Sequence, residues 1–182
     1  MKRVRIATAV VAAVVACAFG IRILLARQAA IARRRIGKPL GEESIDADRV
    51  WRRSLPGSAV ELVLLGDSLA AGLGAEHRKQ TLGGRIAKAL ARELQQPVRL
   101  HTAAVVGSES SALESQLDSL PEGYRADVAV IVVGGNDVTH LVPASTASAQ
   151  LEHAIVRLQD AGTPVVVGTC PDLGTLRPVP QP

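Results

Sequence analysis

Aromatic side chains are almost missing: Phe19, Trp51 and Tyr124 are the whole inventory, 2% of 182 residues. Single-stranded nucleic-acid binding relies on aromatic platforms for base stacking, so that class of function finds no support here. Any packed interior must also be aliphatic. Cysteine is equally scarce, with Cys17 and Cys170 alone, which removes a disulfide framework and a cysteine-rich metal site. Charged residues stop at 21% against 47% hydrophobic residues, a balance that excludes intrinsic disorder. The length suits one domain with an appendage, since a domain takes roughly 100–200 residues.

What is present is unevenly spread. Residues 1–38 contain no acid and nine bases, among them Arg3, Arg22 and the run Arg33-Arg34-Arg35. The overall formal charge of +4 therefore hides a remainder, residues 39–182, with 12 bases, 17 acids and a net charge of −5. A basic arm on an acidic body is poor support for a nucleic-acid partner. The arm has a better explanation in its apolar middle. Ile6 to Ile21 is an unbroken run of apolar and small residues, and Ile23-Leu24-Leu25-Ala26 extends it beyond Arg22 to about the 20 residues a bilayer needs. Arg22 can snorkel to the headgroups. A signal-anchor, a cleaved signal peptide and a buried helix are the three readings, and the anchor is preferred. Val14-Val15-Ala16-Cys17 loosely resembles a lipobox, but the apolar run continues past Cys17, so that residue reads as a small lipid-facing side chain.

The expected organisation is a basic N-terminus at 1–5, a transmembrane segment at 6–26, a basic stalk and lead-in at 27–58 and a domain at 59–182. Gly37, Pro39, Gly41 and the turn Leu55-Pro56-Gly57 break structure in the lead-in. From Ala59 onward strand-like and helix-like stretches alternate. Continuous apolar runs at Ala59–Leu65, Asp127–Val133 and Thr163–Gly168, with a weaker one at Val98–Thr102, predict buried strands. Leucine and isoleucine at helical spacing predict helices around Leu82, Ile86, Leu90 and Leu94, then Leu113, Leu117 and Leu120, then Leu151, Ile155 and Leu158. Buried strands separated by amphipathic helices imply a parallel sheet with helices on both faces, which carries its chemistry at the C-terminal strand ends.

Those ends carry Gly66-Asp67-Ser68-Leu69, Val106-Gly107-Ser108 and Gly134-Gly135-Asn136-Asp137. A serine at a strand-to-helix turn can present a nucleophilic hydroxyl above the sheet. Backbone N–H groups of Ser68 and Gly107 and the Asn136 amide could bind a developing oxyanion if the loops converge. The bland alternatives stay open: Ser68 as an N-cap, Gly107 as a turn glycine, Asn136 as a cap residue. Asp67 and Asp137 lack the spacing of a phosphoacceptor or metal motif and read as loop-positioning groups. His77, His101 and His153 read as solvated or core histidines. His140, four residues after Asn136, is a candidate substitute base, and Cys170 a packing thiol.

The three blocks, in this order and spacing, resemble the SGNH or GDSL-type hydrolase family over residues 59–177. The resemblance implies a flavodoxin-like three-layer α/β/α fold and serine-dependent hydrolysis of carboxylic esters through an acyl-enzyme. Ser68 would be the nucleophile, with Gly107 and Asn136 completing the oxyanion hole and no metal or organic cofactor. It implies a small-molecule, lipid or cell-envelope ester as substrate and an extracytoplasmic domain. The bases crowding the C-terminal flank of the apolar segment pull the other way, toward the cytoplasm. His101-Thr102-Ala103-Ala104 stands where many members have an asparagine. The family's Asp-x-x-His block near the C-terminus finds no counterpart, because Asp172-Leu173-Gly174-Thr175 lacks the histidine. The expectation is therefore a domain missing its last strand and helix, with a weakly nucleophilic Ser68. A membrane-anchored, catalytically dead binding or scaffolding module is the alternative.

Overall fold

A computed structural model of the chain describes residues 2–36, 43–168 and 170, in two compact units. The first unit contributes α1, Lys2–Ile36. Within it Ala12–Ile31 is long and apolar enough to cross a membrane, and none of that window is buried. Membrane spans and signal sequences share this length and composition.

The second unit is built on a five-stranded sheet. In chain order its elements are β1 (Arg49–Trp51), β2 (Val60–Gly66), α2 (Ser68–Ala71), α3 (Leu82–Leu94), β3 (Val98–Thr102), α4 (Leu113–Asp118), β4 (Val128–Val132), α5 (Gly135–Thr139), α6 (Ala144–Asp160) and β5 (Val165–Gly168). The strand order is β1-β3-β2-β4-β5. All neighbours are parallel except β1, which runs antiparallel to β3 with Arg49 opposite Leu100. The expected lead-in thus contributes an edge strand: the sheet begins at Arg49, ten residues before the expected start at Ala59. Trp51 and Ala47 from this segment are buried in the core.

Side chains along a strand alternate between faces, and here both faces are covered. Leu62 and Leu64 of β2 and Val98 and Leu100 of β3 pack with Trp51, Ala87 and Ala91 on one face. Val63 and Leu65 join Ala129, Ile131, Leu113, Leu117, Ala154 and Leu158 on the other. This is why β2 reads as a continuous apolar run, with Leu62 to Leu65 all at 0% exposure. Small residues let α3 sit close to the sheet. A Cβ on Gly83 would approach Leu100 Cδ2 to 2.9 Å, and one on Gly84 would meet the Arg78 carbonyl oxygen at 2.2 Å. Thr81 caps the helix, its hydroxyl accepting from Gly84 N at 3.0 Å.

The parallel order places β2 centrally, with the chain crossing first to β3 on one side and later to β4 on the other. A crevice outside the C-terminal end of β2 follows from that reversal, as in other doubly wound sheets.

Candidate active site

The C-terminal end of β2 is shaped at Gly66, its last residue. Its φ is +130°, and a Cβ there would lie 1.8 Å from the Val132 carbonyl oxygen. Only glycine fits so close an approach between β2 and β4. Asp67 follows, its N–H donating to Val132 O at 3.0 Å. Its carboxylate accepts from Leu69 N at 2.9 Å and so caps α2. Asp67 is buried. Burial pushes its carboxyl above the ordinary range, the Leu69 N–H bond pulls it down, and the neighbouring Asp137 charge raises it further. Ser68 opens α2 and is half-buried.

The loop after β3 is sewn to the same strand end. Ala103 N and Ala104 N donate to Leu64 O, and Val105 N donates to Gly66 O at 3.1 Å. Gly107 follows in an exposed turn with φ +84° and open space where a Cβ would stand. The third loop begins after Val132, and Asn136 is the second residue of α5. Its Nδ2 donates to the Ser108 carbonyl at 2.9 Å, which ties the third loop to the second. Asp137, buried, accepts from Ser110 N and Ser110 Oγ at 3.1 Å. The two aspartates therefore position loops, as their spacing suggested.

A residue that the sequence did not single out joins all this. Gln116 of α4 accepts from Gly66 N at 2.8 Å, donates to Gly66 O at 2.8 Å and reaches Ser108 Oγ at 3.2 Å. Its amide is buried against the strand end that precedes Ser68. The loops bearing Ser68, Gly107 and Asn136 thus form one cross-linked cluster at the switch point.

Residues 64–182 match the profile of the GDSL-like lipase/acylhydrolase family. The chain belongs to that family. It is 40% identical over 133 residues to a GDSL-like esterase of Mycobacterium tuberculosis, an alignment that covers 72% of this chain and 42% of that protein. The match therefore covers less than half of this relative. Among solved structures, the SGNH-hydrolase esterase AlinE4 superposes with a TM-score of 0.53 at 24% identity, over 62% of this chain and 59% of that one. TesA gives 0.55 at 24% identity, over 65% and 66%. At that identity these neighbours show the fold, and they confirm the family's α/β architecture for this chain.

The remaining sequence candidates are dispersed. His140 lies past the end of α5, its Nδ1 2.6 Å from the Glu109 carboxylate, and it makes no hydrogen bond to Ser68. Asp137-Val138-Thr139-His140 has Asp-x-x-His spacing. The structure separates the two members: the aspartate serves Ser110 and the imidazole serves Glu109. His101 lies against Tyr124, ring centroids 5.5 Å apart and the planes tilted by 40°, His153 pairs with Glu114 at 3.0 Å, and His77 lies in a turn. Cys170 helps wall an apolar cavity of about 280 Å³ beside Gly134, Val138 and Leu151. Cys17 is exposed on α1. Among the described residues no group of three or more His, Cys, Asp or Glu could hold a metal ion. Asp172-Leu173-Gly174-Thr175 lies outside the described residues.

Proposed function

We propose that the domain is a serine ester hydrolase in which Ser68 Oγ attacks the ester carbonyl carbon. The new C–O bond pushes the carbonyl electron pair onto oxygen. That oxyanion is received by the N–H groups of Ser68 and Gly107 and by the Asn136 Nδ2 hydrogen not committed to Ser108 O. Collapse expels the alcohol, which takes up a proton, and water then releases the acid from acyl-Ser68. The observation that carries this reading is the stitching of the three loops, above all Asn136 Nδ2 to Ser108 O at 2.9 Å and Val105 N to Gly66 O at 3.1 Å. Such bonds fix the donors before substrate arrives, which is what electrostatic preorganisation requires.

Ser68 still needs a base. None of the four histidines hydrogen-bonds it in this structure, and a serine hydroxyl without a base is a weak nucleophile. The apolar Ala12–Ile31 segment of α1 supports a single-pass anchor and, with it, ester substrates near the bilayer; the extracytoplasmic side rests on the family resemblance alone. An alkyl fluorophosphonate at alkaline pH tests the nucleophile without turnover. The expected product is a single adduct on Ser68, absent from Ser68→Ala and formed at least about tenfold more slowly by Asn136→Ala, since loss of one oxyanion donor costs about 10²–10³ in rate. An unmodified Ser68 under these conditions would overturn the reading in favour of a non-catalytic binding module.

A further inference from the structure

The bases of the sheet-bearing unit are as segregated as those of the whole chain. Of the 12 bases after residue 38, five line one groove: Arg52, Lys79, Arg85, Lys88 and Arg92. The groove holds about 430 Å³, its remaining lining residue is Ala89, and no acid lines it. This runs against the net charge of −5 carried by residues 39–182. Elsewhere on the same unit bases meet acids, Arg99 with Glu61 at 2.9 Å and Arg157 with Glu114 and Asp118 at 2.7 Å. In the groove, Arg92 pairs with its chain neighbour Glu93. Arg52, Lys79, Arg85 and Lys88 have no ion pair among the described residues.

Three separate segments deliver these charges. Gly84, Ala87 and Ala91 bury one face of α3, so Arg85, Lys88 and Arg92, one position further on, form an exposed stripe at i, i+3 and i+7. Lys79 comes from the turn before α3. Arg52 comes from the reversal after β1, where it holds a positive φ of 54°, a conformation that a non-glycine residue seldom adopts. Five like charges converge on a shallow strip, and only Arg92 among them has an acid beside it.

We propose that this groove docks the unit on an anionic lipid bilayer, its bases taking headgroup phosphates. A bilayer supplies dense negative charge in a plane, while the acidic remainder of the unit would turn away from it. A nucleic acid fits less well, because the only aromatic ring near the groove, Trp51, is buried, and a polyanion extending past the strip would meet the acidic body. The basic and apolar residues 1–38 suit the same surface chemistry. Each basic side chain held close to an anionic leaflet raises binding about fivefold, and the gain is screened by salt.

The chain has four lysines, Lys2, Lys38, Lys79 and Lys88, and two of them lie in the groove. The full chain is reconstituted in vesicles of phosphatidylcholine with or without phosphatidylglycerol, and lysine acylation by N-hydroxysuccinimidyl acetate is read by peptide mass. Labelling of Lys79 and Lys88 is expected to fall at least about threefold when phosphatidylglycerol is present and to recover in high salt. The fall should vanish in Arg85→Glu/Arg92→Glu, whose folding is verified by unchanged Trp51 emission. Equal labelling in both vesicles overturns the proposal, as does protection that survives in the double variant. Protection by duplex DNA but not by phosphatidylglycerol vesicles would overturn it in favour of nucleic acid.

Discussion

Gln116→Met is the sharpest perturbation of the stitched loops, because methionine keeps the length and apolar bulk of the side chain while deleting its amide. The lost contacts are those to Gly66 N, Gly66 O and Ser108 Oγ. Gly66 N–H loses the acceptor it meets at 2.8 Å, and an unsatisfied buried donor costs about 1–3 kcal/mol. Gly66 O still accepts from Val105 N at 3.1 Å, so its loss is smaller, about 0.5 kcal/mol, and the Ser108 hydroxyl adds a similar amount. Together these place the variant about 2–4 kcal/mol below the parent, a large part of the roughly 5–15 kcal/mol that holds a domain folded. Urea unfolding of the full chain in mild detergent, followed by the single tryptophan, reads this as a midpoint lowered by about 1–2 M. A variant within about 0.5 kcal/mol of the parent would refute the clamp.

Two further perturbations probe the same corner. Gly66→Ala places a Cβ 1.8 Å from Val132 O; relief requires β2 and β4 to part, at about 4 kcal/mol or more, and a loss under about 1 kcal/mol in the same urea assay would contradict the close approach. Asp67→Asn keeps an oxygen for Leu69 N but cannot ionise. Because the native carboxyl titrates above its ordinary 3.8, the native state binds more protons than the unfolded chain between those two values, and the parent loses stability as pH rises through that window. The melting temperature of the variant relative to the parent should therefore climb from acid to neutral pH, and a pH-independent difference would refute the assignment.

Much of this architecture was legible because it rests on long-range regularities. Leu82, Ile86, Leu90 and Leu94 mark α3 correctly over Leu82–Leu94, and the apolar runs locate β2 and β4, since strands buried on both faces need no alternation. The edge strand β1 was not legible. Arg49-Val50-Trp51 is three residues with one buried side chain, and it becomes a strand only because Leu100 and its neighbours offer an antiparallel register. The start of α6 was equally hidden, because Ala144 to Gln150 is small and polar and carries no apolar stripe. Ser68, Gly107 and Asn136 could be named from motif order and strand ends. Gln116 could not: a glutamine between Leu113 and Leu117 reads as the wet side of a helix, and only the fold reveals that Gly66 meets it.

Ser68 follows a strand that is synthesised early and completed late. β2 pairs with β4 in a register that joins Leu62 to Val128, 66 residues further along the chain. At about 5–20 residues per second, the ribosome takes roughly 3–13 s to supply that partner. Throughout the interval one side of β2 is an open edge, and Leu62 to Leu65, fully enclosed in the finished domain, lack half of their cover. Local helix formation in α3 can proceed meanwhile, but Gly66 cannot meet Val132, and so the turn that sets Ser68 cannot close. The turn that carries Ser68 therefore cannot close until Val132 has been made, and β2, whose Leu62 to Leu65 are the most deeply enclosed run, waits through that interval for its cover.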